Sequence, residues 1–350
     1  MDTLPKEVLY YTALDLPYSA INSFCRINKR FASICADPKF WIEKIRKLEV
    51  EPQKNLGLQE LKNVYKLESL KHIARDFPAP EGFWFALANN GFIQWFDLMD
   101  AFRYSIDKKL PFFSGLIINH FAKQFPKGNA IDLFGEAVKG NSPITIKLLL
   151  EKFPTTDLLS NTNAFSDYKN RTIFQGAVTE KAYAALRVLL EYEEATQSKG
   201  HYDEALNQSL SKLVLLEENI PLTLELIEKA PRHAAIAAIE RLHGSDNEEV
   251  VYALLEKAQP WDDDLLVKAA GNANPLVLNE LLNEMDPPKE TLALALDWAA
   301  TLYNLPNIRT LLELGAKPKR SSYQQLRKIS ENYPELSPLI NKVVPPPRKR

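Results

Sequence analysis

One phrase recurs along most of this chain and limits what it can fold into. It is a helix rich in small residues, a turn, and a helix ending in paired leucines, often with an acid behind them. It reads Phe85-Ala-Leu-Ala-Asn-Asn-Gly91 with Ile93, Phe96 and Leu98, then Glu136-Ala-Val-Lys-Gly140 with Leu148-Leu-Leu-Glu151, then Gly176-Ala-Val178 with Val188-Leu-Leu-Glu191. Weaker copies end at Leu226-Ile-Glu228 and Leu254-Leu-Glu256. Lys268-Ala-Ala-Gly271 with Leu281-Leu282, and Trp298-Ala-Ala300 with Leu311-Leu-Glu-Leu-Gly315-Ala316, complete the series. The last five endings are spaced by roughly 27 to 40 residues, the interval of helical repeat arrays. Small residues let the first helices approach one another, and the paired leucines fill the seam between repeats. One such repeat cannot bury its own apolar face, so stacking supplies the core. Strand signals are scarce, and the predicted class is all-α. The apolar segment 109–125 predicts a further helix outside the repeat phase.

The first 48 residues have a different texture. Pro5 suits the first turn of a helix that carries Val8 and Leu9. Pro17 opens a second helix with Ile21, Phe24, Cys25 and Ile27 on its apolar face. Asn28 is placed to cap a third, carrying Phe31, Ile34 and Cys35. Asp37-Pro38 signals a fourth, with Phe40, Trp41 and Ile45 on one side. Four short helices bury little surface, and a unit so small gains from a partner. Its spending of Phe24, Phe31, Phe40 and Trp41 implies that part of its apolar face serves another protein.

This stretch resembles an F-box. The Leu4-Pro5-x-Glu7-Val8-Leu9 opening, the Phe24-Cys25-x-x-Asn28-Lys29-x-Phe31 centre and the Asp37-Pro38-x-Phe40-Trp41 close match that pattern in order and spacing. The match covers about one eighth of the chain, and its style is similar to the F-boxes of large DNA viruses and some intracellular bacteria. It departs at Leu14-Asp15-Leu16-Pro17, where many members carry no proline. The resemblance implies docking on the Skp-type adaptor of a cullin–RING ubiquitin ligase. The implied contact residues are Leu4, Pro5, Val8, Leu9, Ile21, Phe24, Phe31, Phe40 and Trp41, some of which must instead form the unit's own core. The other reading makes the stretch a set of capping helices for the domain behind it.

Leu58, Leu61, Val64, Tyr65, Leu67, Leu70 and Ile73 predict one amphipathic helix that fixes the first unit against the repeats. The Leu311-Leu-Glu-Leu-Gly315-Ala316 ending looks like an ankyrin repeat, in which glycine ends the second helix in a left-handed conformation. Ala88-Asn-Asn-Gly91 and Ala270-Gly271 resemble that family's first-helix ending. No copy carries the family's Thr-Pro-Leu-His turn, and twelve glycines are few for seven full repeats. The resemblance therefore implies degenerate ankyrin-like helix pairs with short or missing hairpin tips; a generic helical solenoid or irregular bundle is the alternative. The expected organisation is an F-box-like domain over 1–48, a helical spacer over 49–81, ankyrin-like repeats over 82–343 and a basic tail over 344–350. The tail, Pro345-Pro-Pro-Arg-Lys-Arg350, reads as a solvated end, with nuclear import or phosphate contact as the sharper alternative.

Composition narrows the function. Lys plus Arg total 43 against 45 Asp plus Glu, so no net field points to nucleic acid or to a membrane surface. No apolar run approaches a membrane-spanning length, and the N-terminus lacks signal-peptide character. Cys25 and Cys35 alone suit a reducing compartment and leave no disulfide framework, so a cytoplasmic or nuclear protein is expected. The Asn170 and Asn207 sequons are then irrelevant. No phosphate-binding glycine loop or nucleophile elbow is present. His72, His120, His201, His233 and His243 are scattered without metal spacing and read as surface or helix-face residues. Asp262-Asp263-Asp264 reads as a helix start, with a patch for a basic partner as the alternative. Trp84, Trp95 and Trp298 read as core. No cofactor and no catalysis are expected. The implied role is the substrate-recognition subunit of a ligase, its repeats holding an unknown target. The alternative is a non-catalytic scaffold or decoy whose first unit is a cap or sequesters the adaptor.

Overall fold

The computed structural model describes residues 4–125, 130–154, 158, 171–196, 199–216, 219–242, 247–272 and 274–346. Among these the regular elements are all helical. Asn170, His243 and residues 347–350 of the basic tail, each given a role above, lie outside the described residues. Two compact units divide the chain, Met1–Val188 and Leu189–Arg350. Among the described residues no helix is long and apolar enough to cross a membrane.

The first unit opens with α1 (Lys6–Asp15), α2 (Tyr18–Arg26), α3 (Lys29–Cys35) and α4 (Pro38–Arg46). Next come α5 (Leu58–Ile73), α6 (Glu81–Asn89), α7 (Trp95–Asp107), α8 (Pro111–Gln124), α9 (Ile131–Lys139), α10 (Pro143–Lys152) and α11 (Ile173–Thr179); α12 (Tyr183–Thr196) spans the division. Helix α7 pairs with α8 and α9 with α10, while α7, α9 and α11 form one row and α8 and α10 another. Segment 109–125 is therefore not out of phase, as its length of apolar sequence suggested. Its helix α8 is the second member of a pair.

The second unit holds α13 (Lys199–Leu216), α14 (Ile220–Lys229), α15 (Arg232–Ile239), α16 (Glu248–Lys257), α17 (Asp263–Ala270) and α18 (Pro275–Glu284). It ends with α19 (Lys289–Thr301), α20 (Leu305–Glu313), α21 (Tyr323–Asn332) and α22 (Ser337–Val343). Each odd-numbered helix pairs with the next even-numbered one. The even helices α14, α16, α18, α20 and α22 contact one another in succession.

One turn recurs in both units. After α7, α9, α11, α19 and α20 a residue takes a left-handed conformation, and the next N–H reaches back five residues. The bonds are Leu110 to Ser105, Ser142 to Ala137, Ala182 to Ala177, Asn304 to Ala299 and Ala316 to Leu311, at 2.7 to 3.0 Å. Gly91 makes the same bond to Ala86 after α6. This arrangement satisfies carbonyls left open at a helix end. The left-handed residues are Asn90, Lys109, Asn141, Lys181, Tyr303 and Gly315, only one of them glycine. In five of these six turns a residue other than glycine therefore holds the left-handed position, whereas after α15 and α17 the N–H groups of Leu242 and Asn272 reach back only three residues.

Glycine is required elsewhere by close approach. A Cβ on Gly140 would lie 2.1 Å from Ile106 Cγ2, and one on Gly271 would lie 2.5 Å from Trp298 Nε1. Both end the first helix of a pair, where small residues were expected to admit a neighbour. Asparagines stitch the second unit at the same interval. Asn272 donates to the Ile239 carbonyl 33 residues back, and Asn304 to the Asn272 carbonyl 32 back. Buried Asn307 adds bonds of 3.1 to 3.2 Å to the carbonyls of Ala269, Ala270 and Asn272.

Candidate docking surface of the N-terminal unit

Local chemistry sets the four short helices. Asn28 Oδ1 accepts from the N–H groups of Arg30 and Phe31 at 3.0 and 3.1 Å. Asp37 accepts from Lys39 N–H at 2.9 Å, with Pro38 at the first helical position. Both are caps of the kind the sequence indicates. Pro17 precedes α2, and the stretch of backbone before it is held by Lys44, whose ammonium donates to the carbonyls of Leu14 and Leu16.

The core is aromatic. Phe24 and Phe31 meet edge-on with centroids 4.4 Å apart, Phe40 and Trp41 at 5.2 Å, and Trp41 and Tyr65 at 5.5 Å. Tyr65 and Leu61 belong to α5, so the expected spacer completes this core.

The nine residues expected to contact a partner separate cleanly. Leu9, Ile21, Phe24, Phe31, Phe40 and Trp41 are buried in the unit's own core. Leu4 and Val8 are 40% and 43% exposed, and Pro5 is exposed. Two residues outside that set join the surface: Tyr11 at 67% and Ile27 at 60% exposure. Val8 and Tyr11 sit three residues apart on one face of α1, and Leu4 lies in the non-helical segment just before that helix. That spacing was the available signal for Tyr11. Arg30 of α3 donates to the Leu4 carbonyl at 2.6 Å and fixes the segment before α1.

Cys25 and Cys35 are joined as a disulfide, their Cα atoms 5.8 Å apart. The expectation of two reduced thiols is corrected here. Each cysteine lies on an apolar helix face, and the turn at Asn28 folds those faces together. The compartment inferred from free thiols loses that support.

The remaining candidates fall into place one by one. Trp84 is buried and Trp95 half-buried, but Trp298 is 46% exposed, one of a stripe with Leu294 and Leu302 on α19 and the turn after it. Its expected core placement is corrected: its Nε1 and Cδ1 lie against Gly271 while the residue as a whole stays nearly half exposed. Phe85, Phe92 and Phe96 form a second exposed aromatic group, on α6, α7 and the turn between them. His120 is buried rather than superficial, its Nε2 3.0 Å from Gln124 Oε1. Asp262 caps α17 through Leu265 N–H at 2.9 Å and pairs with Arg232 at 3.0 Å. The Leu265 N–H and then Arg232 hold its carboxyl below the usual range. Among the described residues no group of three or more His, Cys, Asp or Glu side chains is placed to hold a metal ion.

No family model matches this chain, and neither a curated protein nor a solved structure shows significant similarity to it.

Proposed function

We propose that this chain is the substrate-binding subunit of a cullin–RING ubiquitin ligase. Its N-terminal unit, F-box-like in sequence, docks on a Skp-type adaptor, and its ankyrin-like helix pairs hold a target protein in the cytoplasm or nucleus. The observation that carries this reading is the exposed set made by Leu4 just before α1 and Val8 and Tyr11 on it. It stays exposed although the unit has a filled core of its own. Exposed apolar residues in a contiguous set mark interaction surfaces, and aromatic anchors such as Tyr11 carry a large share of binding energy. The exposed Phe85, Phe92 and Phe96, and separately Leu294, Trp298 and Leu302, are candidate contacts for the target.

The test is binding of purified Skp-type adaptor to the full chain. Leu4→Ala with Pro5→Ala, and Tyr11→Ala separately, are expected to weaken binding about tenfold or more while the helical signal is kept. Absence of binding, or full-strength binding by these variants, would overturn the reading.

A second reading is favoured by one observation: Leu61 and Tyr65 of α5 complete the N-terminal core. The four helices then serve as a cap on the repeats, or sequester the adaptor without delivering a target. Ubiquitination of a repeat-bound protein in a reconstituted ligase separates the two.

A further inference from the structure

A cavity of about 480 Å³ lies within the first unit, between the turn after α1, helices α4 and α5, and the turn joining α7 to α8. Cavities of roughly 300 to 1,000 Å³ take small organic ligands. Its floor is apolar. Leu14, Tyr65 and Phe113 are buried there, with the Tyr65 hydroxyl and the buried Ser69 as its polar groups. Leu16, Ile73 and Leu110 form the walls.

The rim is basic. Lys47, His72 and Lys109 are exposed around it, and the single acid of the lining, Asp15, is already paired with Lys47. Lys44 lies deeper and is almost fully buried. Its hydrogen bonds go to the Leu14 and Leu16 carbonyls and not to a carboxylate. Burial pushes its amine down to about 8, Lys47 pushes the same way, and the Asp15 carboxylate opposes both. The Leu14 and Leu16 carbonyls, the Tyr65 ring 5.3 Å from the ammonium and the Asp15 carboxylate offset part of the cost of this buried cation, and an anion in the cavity would offset more of it.

We infer that this cavity binds a small apolar carboxylate, its hydrocarbon body on Leu14, Tyr65 and Phe113 and its charge among Lys44, Lys47 and Lys109. Apolar walls select the body, and the excess of basic groups selects the sign of the head. The inference does not rest on adaptor docking. Such a ligand would touch the end of α1, α4 and α5 together with the α7–α8 turn, and so would tie the N-terminal helices to the first helix pair.

The experiment is calorimetric titration of the full chain at neutral pH with decanoate, and with decanol as the uncharged counterpart. Saturable binding of decanoate is expected, with decanol about tenfold weaker or worse. Ser69→Leu, which fills the floor, is expected to weaken decanoate about tenfold, and Lys109→Glu at the rim about fivefold. If Ser69→Leu loses its helical signal, Lys109→Glu decides alone, since that side chain is exposed. No saturable binding, equal affinity for decanol, or unchanged decanoate affinity in the folded variants would overturn the inference.

Discussion

Trp41 donates its indole N–H to the carbonyl of Cys35 at 2.8 Å, six residues back across the turn from α3 to α4. The ring also packs on Phe40 and on Tyr65 of α5, so one side chain joins three helices. Trp41→Phe keeps most of the apolar contact but leaves a buried carbonyl short of a donor. It is expected to cost about 1 to 3 kcal/mol, read as a lower denaturant midpoint at unchanged slope. Trp41→Ala is expected to cost about 3 to 5 kcal/mol through the cavity as well. An equal, small effect of both would show that the ring is not part of the core.

The Cys25–Cys35 bridge closes a loop of sequence separation 10. Chain entropy assigns such a loop about 3 kcal/mol. Reductant is therefore expected to lower the thermal midpoint of the wild-type chain and to leave a Cys25→Ala, Cys35→Ala double variant unmoved. A wild-type midpoint insensitive to reductant would contradict the pairing.

The recurrent turn gives a pair of opposite effects. Tyr303 sits at φ 54°, a region that costs a non-glycine residue about 1 kcal/mol or more. Tyr303→Gly is expected to stabilise the second unit by about 1 kcal/mol. Gly271 has no such φ, but a Cβ there would meet Trp298. Gly271→Ala is expected to destabilise by about 1 to 3 kcal/mol, and further substitution of Trp298 by a smaller residue to recover part of it. Chemical denaturation of the three variants beside the wild type checks the signs.

His120 gives a pH dependence. Burial, and to a lesser degree Lys123, push its imidazole below the ordinary 6.5, against the bonds to Gln124 and the Gly91 backbone. The folded state then refuses a proton that the unfolded chain accepts. Its contribution is complete above 6.5 and is lost as pH falls from 6.5 toward the depressed folded value. The slope contributed is at most about 1.4 kcal/mol per pH unit. His120→Gln is expected to flatten the stability profile between about pH 7 and 5 relative to the wild type. Parallel profiles would show that His120 is not the group responsible.

Arg30 connects the exposed segment before α1 to α3 through the Leu4 carbonyl. Arg30→Gln is expected to weaken adaptor binding about fivefold by releasing Leu4 and Pro5, with a stability change under about 1 kcal/mol. Unchanged binding would mean that this segment orders on the adaptor without help from Arg30.

Much of the local structure was legible. Asn28, Asp37 and Asp262 cap the helices they were expected to cap, and the spacing from Leu58 to Ile73 marks α5 to its ends. The small residues of the first helices also carried their meaning, as Gly140 and Gly271 demonstrate. A further marker of the repeat phase is a proline that opens α8, α10, α14, α18, α20 and α22 at the first or second position. That proline puts α8 in phase with the rest, which its apolar composition conceals.

What the sequence determined by itself lies within a few residues of each signal: helix type, caps, the all-α class and the small-residue faces. These follow from backbone hydrogen bonding and steric preference, which act over about one helical turn. The tertiary structure alone decided which apolar residues became core and which surface. Leu9 and Val8 are adjacent and both apolar, yet one is buried and the other open, because α3 and α4 cover only one face of α1. The same distance separates two cysteines on two helices from one disulfide, and Trp298 as core from Trp298 as an exposed cover over Gly271. Burial depends on which faces meet, and that meeting is set by packing between elements remote in sequence.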